Sequence, residues 1–464
     1  MSSRVPVIVI FDVGKTNKKI FLFDEDYKIV HEQTVRLEET KDEDGLPCED
    51  VFALTNWIKQ GVEAIARDGR FEIKEINFSA YGASFVYLDE HYGVIPPLYN
   101  YLKPFPEPLL QKFYDTYGGR SEFSKATASP VLGNLNSGMQ LYRLKHEKPE
   151  VFERIKYALH LPQYLSFLLT ASIHSDITSI GCHTNLWNFQ ESKYHRWVEQ
   201  EGLREKLPEI LSYNAIAGYW KETVPIGVGL HDSSAALVPY LLCFNEPFIL
   251  LSTGTWCITL NPFNHSMLSD QELQQDCLCY LSHQGKPVKA SRLFAGYEHE
   301  QQLKKLATHF NVEVERYKEL KIDFDLVQSV KAENERYHNQ SPSNPAQSQF
   351  PQRDLNEFSS YEQAYHQLIG DIIAQQIIST DLVLRGTSVR RIFVDGGFSN
   401  NSIYMHMLAD AFPGMEVYAA FAPQASALGA ALVLHQNRNA KHIPLDIIKV
   451  TRYWGRSTPS KERT

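Results

Sequence analysis

Cysteine is scarce in this chain. Six occur in 464 residues, at positions 48, 182, 243, 257, 277 and 279. Only Cys277 and Cys279 lie close together, and no second Cys or His pair has metal-ligand spacing. A disulfide framework and a structural zinc site are therefore excluded as the basis of the fold. Free thiols in a reducing compartment are the expectation. Long hydrophobic runs are also missing. The longest, Ala235 to Phe244, is broken by Pro239 and falls well short of a membrane span. The first residues lack the basic segment, apolar stretch and small-residue cleavage site of a secretory leader, so a cytoplasmic location is expected. Positive charge is in deficit: 46 Lys and Arg stand against 55 Asp and Glu, a formal net charge of −9. That balance argues against nucleic acid or an anionic membrane as partner, while leaving room for a small basic pocket around one phosphorylated ligand.

A complete P-loop is absent too. Gly14-Lys15-Thr16 invites that reading, but the position five residues before Gly14 is Val9. The residues after the Thr, Lys18 to Phe23, alternate as a strand does instead of starting a helix.

What is present describes a soluble globular protein, 43% hydrophobic and 22% charged, long enough for two domains. Val7 to Val35 reads as three strands joined by tight turns at Gly14–Asn17 and Asp24–Tyr27. Asp50 is placed to cap a helix running to about Asp68, with Phe52, Leu54, Trp57, Ile58, Val62 and Ile65 on its apolar stripe. A strand from Phe71 to Phe78 and another from Phe85 to Asp89 follow. Helices are expected over Gly138–His146, Pro149–Tyr157 and Pro162–Thr170. Three strands, a helix and a returning strand make an α/β layout with a mixed sheet. The order restarts near Glu246, which sets the expected domains at 1–245 and 246–464. A polar insertion from about Ala332 to Asp354 reads as a mobile surface loop. A long helix over Ser360–Leu384 and a strand over Arg391–Val394 come after it.

Chemistry concentrates at five places. The first is the turn after Asp12. Gly14, Lys15, Thr16 and Asn17 offer backbone N–H groups, a hydroxyl and an ammonium to a phosphate, and Asp12 is placed to hold a metal-bound water. The alternative is an ordinary polar hairpin tip. The second is its echo at Gly254-Thr255, between two apolar runs. The third is His231-Asp232, at the start of a small-residue helix, where the dipole favours an ionised carboxylate that can act as a base. A plain N-cap explains the same pattern. The fourth is Gly396-Gly397, with Asn401 beyond it, at a strand-to-helix turn that lets a ligand approach the backbone closely. The fifth is Ala425–Ala431, a small-residue helix face suited to close packing against a sheet.

The order of these elements, from Val7 to Leu434, resembles the FGGY carbohydrate kinases of the actin/hexokinase-like superfamily, closest to the rhamnulokinase and fuculokinase branch. Tyr81-Gly82-Ala83-Ser84-Phe85-Val86-Tyr87-Leu88-Asp89, His231-Asp232-Ser233 and Leu251-Ser252-Thr253-Gly254-Thr255-Trp256 are each similar to that branch's segments. The resemblance implies two RNase H-like lobes, each a mixed sheet flanked by helices, closing on a hinged cleft. It implies ATP and Mg²⁺ as cofactors, Asp232 as general base and Asp12 at the metal. Gly14, Lys15, Thr16, Asn17, Gly254 and Thr255 would line the phosphates, and Gly396, Gly397 and Asn401 would border the adenosine. Ser84, Tyr99, Asn136 and His231 are the candidates for the sugar pocket. Two departures concern the sugar. Ser84 stands where the branch carries Asp, and Tyr99-Asn100-Tyr101-Leu102 replaces a segment with an acidic residue. The implied reaction is phosphorylation of the terminal hydroxyl of a ketose, a deoxyketose such as L-rhamnulose or L-fuculose. Alternatives are a kinase for xylulose, ribulose or glycerol, and a silent sugar- or nucleotide-binding regulator on the same fold. A monomer or homodimer is expected, with the sugar and ATP as the small-molecule partners.

Overall fold

The computed structural model describes residues 4–340, 348–422, 424–435, 439, 441–444 and 446–455. The first sheet is built from β1 (Val5–Val13), β2 (Lys18–Phe23), β3 (Ile29–Val35), β4 (Phe71–Ala80), β5 (Ile216–Trp220), β6 (Val224–Gly227) and β7 (Leu230–His231). Its order is β5-β6-β4-β1-β2-β3, with β7 also paired to β4. β1 runs antiparallel to β2 and parallel to β4. The second sheet repeats that plan. It contains β8 (Phe248–Thr253), β9 (Cys257–Asn261), β10 (Cys277–Leu281), β11 (Pro287–Leu293), β12 (Arg391–Gly396), β13 (Glu416–Phe421) and β14 (Lys449–Tyr453). The order is β10-β11-β9-β8-β12-β13-β14, with β8 antiparallel to β9 and parallel to β12. The chain is thus a two-lobed mixed α/β protein.

The first lobe forms as its local pattern dictates. Asp50 accepts hydrogen bonds from the N–H groups of Phe52 and Ala53, both at 2.9 Å, and so starts helix α1 (Val51–Arg67). Leu54, Ile58 and Val62 on its inner stripe are fully buried with Phe11 and Phe78 of the sheet. Each such side chain contributes roughly 1.5–3 kcal/mol of hydrophobic stabilisation. A small sheet of Phe85–Leu88, Val94–Ile95 and Tyr157–His160 sits over an aromatic cluster around Phe113 and Trp197.

Helix α2 (Asp232–Cys243) leaves the first lobe and lays Leu237 and Tyr240 against Phe248, Leu250 and Phe393 of the second sheet. The second lobe carries α3 (Ala295–Phe310), α4 (Tyr361–Leu384), α5 (Ser402–Ala411) and α6 (Ala425–Leu432). Helix α6 makes the return crossing, packing Ala427, Leu428 and Ala431 against Ile8, Ile10 and Phe21 of the first sheet. The two crossing helices meet at Gly429, where a Cβ would stand 1.8 Å from the Ala235 carbonyl oxygen. Its small-residue face therefore serves close helix–helix packing as well as the expected helix–sheet packing.

Two sequence expectations need correction. The expected helix over Pro149–Tyr157 stops at Arg154, and Tyr157 opens a strand instead. The polar stretch from Ala332 is not all loop: a helix spans Phe324–Gln340. Its Val327 and Val330 are buried, and Val330 rests against Gly370 of α4, where a Cβ would meet it at 2.1 Å. These two apolar residues, one turn apart, mark the face by which the helix docks. The rest of that stretch through Pro345 lies outside the described residues. Within the described residues no helix is long and apolar enough to cross a membrane.

Candidate active site

The parallel strands β1, β4 and β7 bring two carboxylates to one edge. In register, Asp12 pairs with Ser79, and His231 pairs with Ala80 on the other side of β4. Two strand spacings, roughly 10 Å, therefore separate the backbone of Asp12 from that of His231-Asp232. This is the carboxyl end of the strands, where open α/β sheets present their ligand crevice.

Asp232 is the first residue of α2, and His231 is its N-cap. The carboxylate is thus not a cap in the ordinary sense. Its Oδ1 accepts from the Ser233 N–H at 2.6 Å and lies 3.2 Å from His231 Nε2. The side chain keeps 33% of its surface exposed, at this carboxyl end of the sheet. Enclosure by protein raises its pKa to about 6, against the pull of the Ser233 hydrogen bonds. Asp12 is pushed up to about 7, first by burial and then by the charge of Asp232, with the Ser79 hydroxyl and Lys19 acting the other way. A carboxylate raised by burial and by the charge of a second one makes an oxygen-rich, cation-seeking edge. His231 is driven down to about 3 by burial and stays neutral, its Nε2 3.0 Å from Cys182 Sγ.

The two hairpin turns close alike. Gly14 N–H donates to the Asn17 carbonyl at 3.0 Å, and Gly254 N–H to the Trp256 carbonyl at 2.9 Å. Neither glycine N–H is left over. In the first turn the N–H groups of Lys15 and Thr16 have no protein acceptor among the described residues. The Lys15 ammonium lies 2.7 Å from Glu39 and 3.8 Å from Glu49. The Asn17 side chain accepts from Arg36 Nε at 2.9 Å. Thr16 and Thr255 are exposed, and the Thr255 carbonyl accepts from the Tyr297 N–H at 3.0 Å.

Beside the second turn a cavity of about 590 Å³ is lined by Gly254, Gly296, His299, Tyr317, Gly397 and Asn401, among others. Thr253 holds its floor: the hydroxyl donates to the Asp395 carbonyl at 2.6 Å and accepts from the Phe398 N–H at 2.9 Å. Gly396, at φ +87°, is needed at this crossing, because a Cβ would stand 2.0 Å from the Thr253 carbonyl oxygen. Asn401 caps α5 through Tyr404 N–H and donates its amide to the Tyr365 hydroxyl at 2.7 Å. Capping and cavity lining are compatible at this one residue.

The residues expected for the acceptor pocket lie in different settings. The Tyr99 hydroxyl donates to Glu43 at 2.8 Å, and its ring lies 4.9 Å from the Lys103 ammonium. Asn136 is fully buried; it accepts from Leu132 N–H and donates to Ser129 Oγ and the His183 carbonyl. Both side chains are occupied in holding their own loops. Ser84 is buried with no hydrogen-bond partner for its hydroxyl among the described residues. Tyr101, which the sequence offered only as a departure, lies close enough to Asp232 for that charge, added to burial, to raise its pKa. Tyr280 approaches from the second lobe and is raised by burial, with the same carboxylate contributing.

Family models decide what this geometry belongs to. The N-terminal domain of the FGGY family of carbohydrate kinases matches residues 7–238, and the carbohydrate kinase FGGY C-terminal domain matches residues 245–442. The chain belongs to the FGGY family of carbohydrate kinases. A rhamnulokinase of Mannheimia succiniciproducens is 26% identical over 258 residues, 54% of this chain and 52% of that protein. The chain thus spans about half the length of the curated relatives it matches. A carbohydrate kinase from Novosphingobium aromaticivorans superposes with a TM-score of 0.78 at 22% identity, covering 98% of this chain and 95% of that one. Plasmodium falciparum glycerol kinase with ADP gives 0.75 at 17% identity, over 99% and 96%.

For an FGGY kinase, the cavity beside Gly397 includes residues that sequence reasoning missed. His299 and Tyr317 carry no glycine-rich or charged signature. Gly296 is visible only through packing, since a Cβ there would lie 1.8 Å from the Gly254 carbonyl oxygen. Thr253 had a weak signal, as the residue before a Gly-Thr turn. Among the described residues no group of three or more His, Cys, Asp or Glu side chains forms a metal cage. A cation in this FGGY cleft would be held by one carboxylate together with ligand oxygens.

Proposed function

We propose that this FGGY kinase transfers the γ-phosphoryl group of ATP to the terminal hydroxyl of a ketose, with a deoxyketose such as L-rhamnulose or L-fuculose as the leading acceptor. The observation that carries the reading is the placement of Asp232 at the carboxyl end of the first sheet, two strands from Asp12 and near Tyr101. Phosphoryl transfer passes through a loose transition state, so positioning and charge stabilisation are the protein's main contributions. Asp232 orients the acceptor hydroxyl and takes its proton, which contributes roughly 10²- to 10⁴-fold. A pKa of about 6 keeps it ionised at neutral pH. Neutral His231 steadies the carboxylate without competing for the proton. The Lys15 and Thr16 N–H groups and the Thr16 and Thr255 hydroxyls line the phosphates; Gly397 and Asn401 border the adenosine. Asp12 fits a Mg²⁺ site, since among the described residues it forms no ion pair with a cation, only feeling the charge of Lys19, and its pKa is raised by burial and by the neighbouring Asp232 carboxylate. Mg²⁺, when bound, neutralises phosphate charge. Lobe closure excludes water and so limits ATP hydrolysis.

Ser84 and Tyr101, standing where the branch has acidic residues, support a second acceptor class of xylulose, ribulose or glycerol. Coupled ADP release with Mg²⁺-ATP, run over a panel of ketoses, aldoses and polyols, tests both. Turnover with a deoxyketose at the highest kcat/KM is expected. Best turnover with a pentulose or glycerol selects the second class, and no turnover on any member overturns the kinase reading.

A further inference from the structure

A cavity of about 520 Å³ opens on the second sheet at the end opposite the cleft. Pro247, Arg391 and Glu416, where β8, β12 and β13 begin, line it. The nucleotide turns lie where β8 and β12 end. β8 is six residues long, so roughly 20 Å separates the two openings. The volume is in the range of small-molecule sites.

Its charge is unusual for so acidic a chain. The lining holds Arg390, Arg391 and Arg452 against Glu246 and Glu416. The two carboxylates are shared along one line: Arg452 Nη2 lies 3.6 Å from Glu416, Arg391 Nε 2.7 Å from Glu416, and Arg391 Nη2 2.9 Å from Glu246. Arg390 is exposed and has no ion pair among the described residues. The Nε of Arg452 is buried and has no hydrogen-bond partner among them either. One whole guanidinium and one further donor are therefore uncommitted. Guanidinium forks match phosphate oxygens in geometry and charge. Tyr453 stands on the wall, half-buried, and a ring face of that kind suits the apolar side of a sugar. Glu246 and Glu416 retain lone pairs for hydroxyl donors.

We propose that this cavity is a second ligand site, separate from the cleft, for a phosphorylated sugar. Arg390 and Arg452 hold the phosphate, Tyr453 flanks the ring, and the two glutamates accept from its hydroxyls. The site does not depend on which acceptor the cleft takes.

Titration calorimetry on the full chain, presaturated with Mg²⁺-ADP to fill the nucleotide half of the cleft, tests it with D-glucose 6-phosphate, an aldose phosphate that is not a product of the proposed reaction, and with inorganic phosphate as probes. Saturable binding of the sugar phosphate at millimolar concentration or below is expected, tighter than that of inorganic phosphate. Arg390→Gln, an exposed change that leaves the fold intact, should weaken it about tenfold, as should Arg452→Gln. Asp232→Asn should leave it unchanged. Absence of binding, equal affinity for the two probes, or indifference to both arginine substitutions overturns the proposal.

Discussion

The Tyr240 hydroxyl donates a hydrogen bond of 2.9 Å to the Asp395 carboxylate. Tyr240 lies on α2, the helix that begins with Asp232, and Asp395 directly precedes Gly396-Gly397. One rigid element therefore spans from the proposed base to the loop beneath the proposed adenosine site. Tyr240→Phe would leave a largely buried, already raised carboxyl without that donor. The cost should be about 1–3 kcal/mol in stability, with KM for ATP rising several-fold and kcat falling less. Steady-state kinetics and thermal melts check it; a kcat loss with unchanged KM would contradict the assignment.

Asp232→Asn removes the proton acceptor and keeps the shape. Turnover should drop by roughly 10²- to 10⁴-fold, while ADP affinity, measured by calorimetry, stays within about twofold of the parent. Near-normal kcat would sink the base assignment.

The acid limb of the rate profile follows from the same residue. A base works only when ionised, and Asp232 ionises at about 6. kcat/KM for the sugar, at saturating Mg²⁺-ATP so that the bound cation keeps Asp12 ionised, should be level above that pH and fall towards tenfold per unit below it. A limb centred near 4 would mean that the cleft floor exerts no such effect.

Asp12 links pH to stability with a definite sign. Its folded pKa of about 7 lies above the ordinary 3.8, so the folded state holds the proton more tightly than the unfolded chain. That contribution is fully present below about pH 4 and is lost as pH rises through 7. Asp12→Asn should therefore raise the Tm of the ligand-free protein at pH 8 and give a much smaller gain at pH 4. Melting curves at the two values decide it; an equal change at both would refute the linkage.

Gly429→Ala places a methyl group against the Ala235 carbonyl, a contact that neither helix can relieve without moving. A loss of about 1–3 kcal/mol is expected, with a lower Tm for the whole chain. An unchanged melting temperature would show that the crossing helices have slack.

Much of this was readable from local pattern. The hairpin at Gly14 and helix α1 depend on alternation, a cap and a stripe, all within a few residues of each other. The Asp232 helix start was readable for the same reason. The settings of Tyr99 and Asn136 could not be read in this way, because their partners, Glu43 for one and Leu132, Ser129 and His183 for the other, are chosen by tertiary folding. Tyr101 was masked by its place among other polar and aromatic residues; only the cleft shows it facing Asp232. The helix over Phe324–Gln340 was hidden because Val327 and Val330 are its main buried anchors.

The exchanged helices have a consequence for any attempt to divide the chain. A cut between α2 and β8, near residue 245, would strip from the first sheet the cover that α6 provides and from the second the cover that α2 provides. Each fragment would carry a bare apolar face over residues such as Ile10 and Phe21, or Phe248 and Leu250. The halves resemble two boxes, each closed by the other's lid: expressed apart they should aggregate, and co-expressed they should find one another.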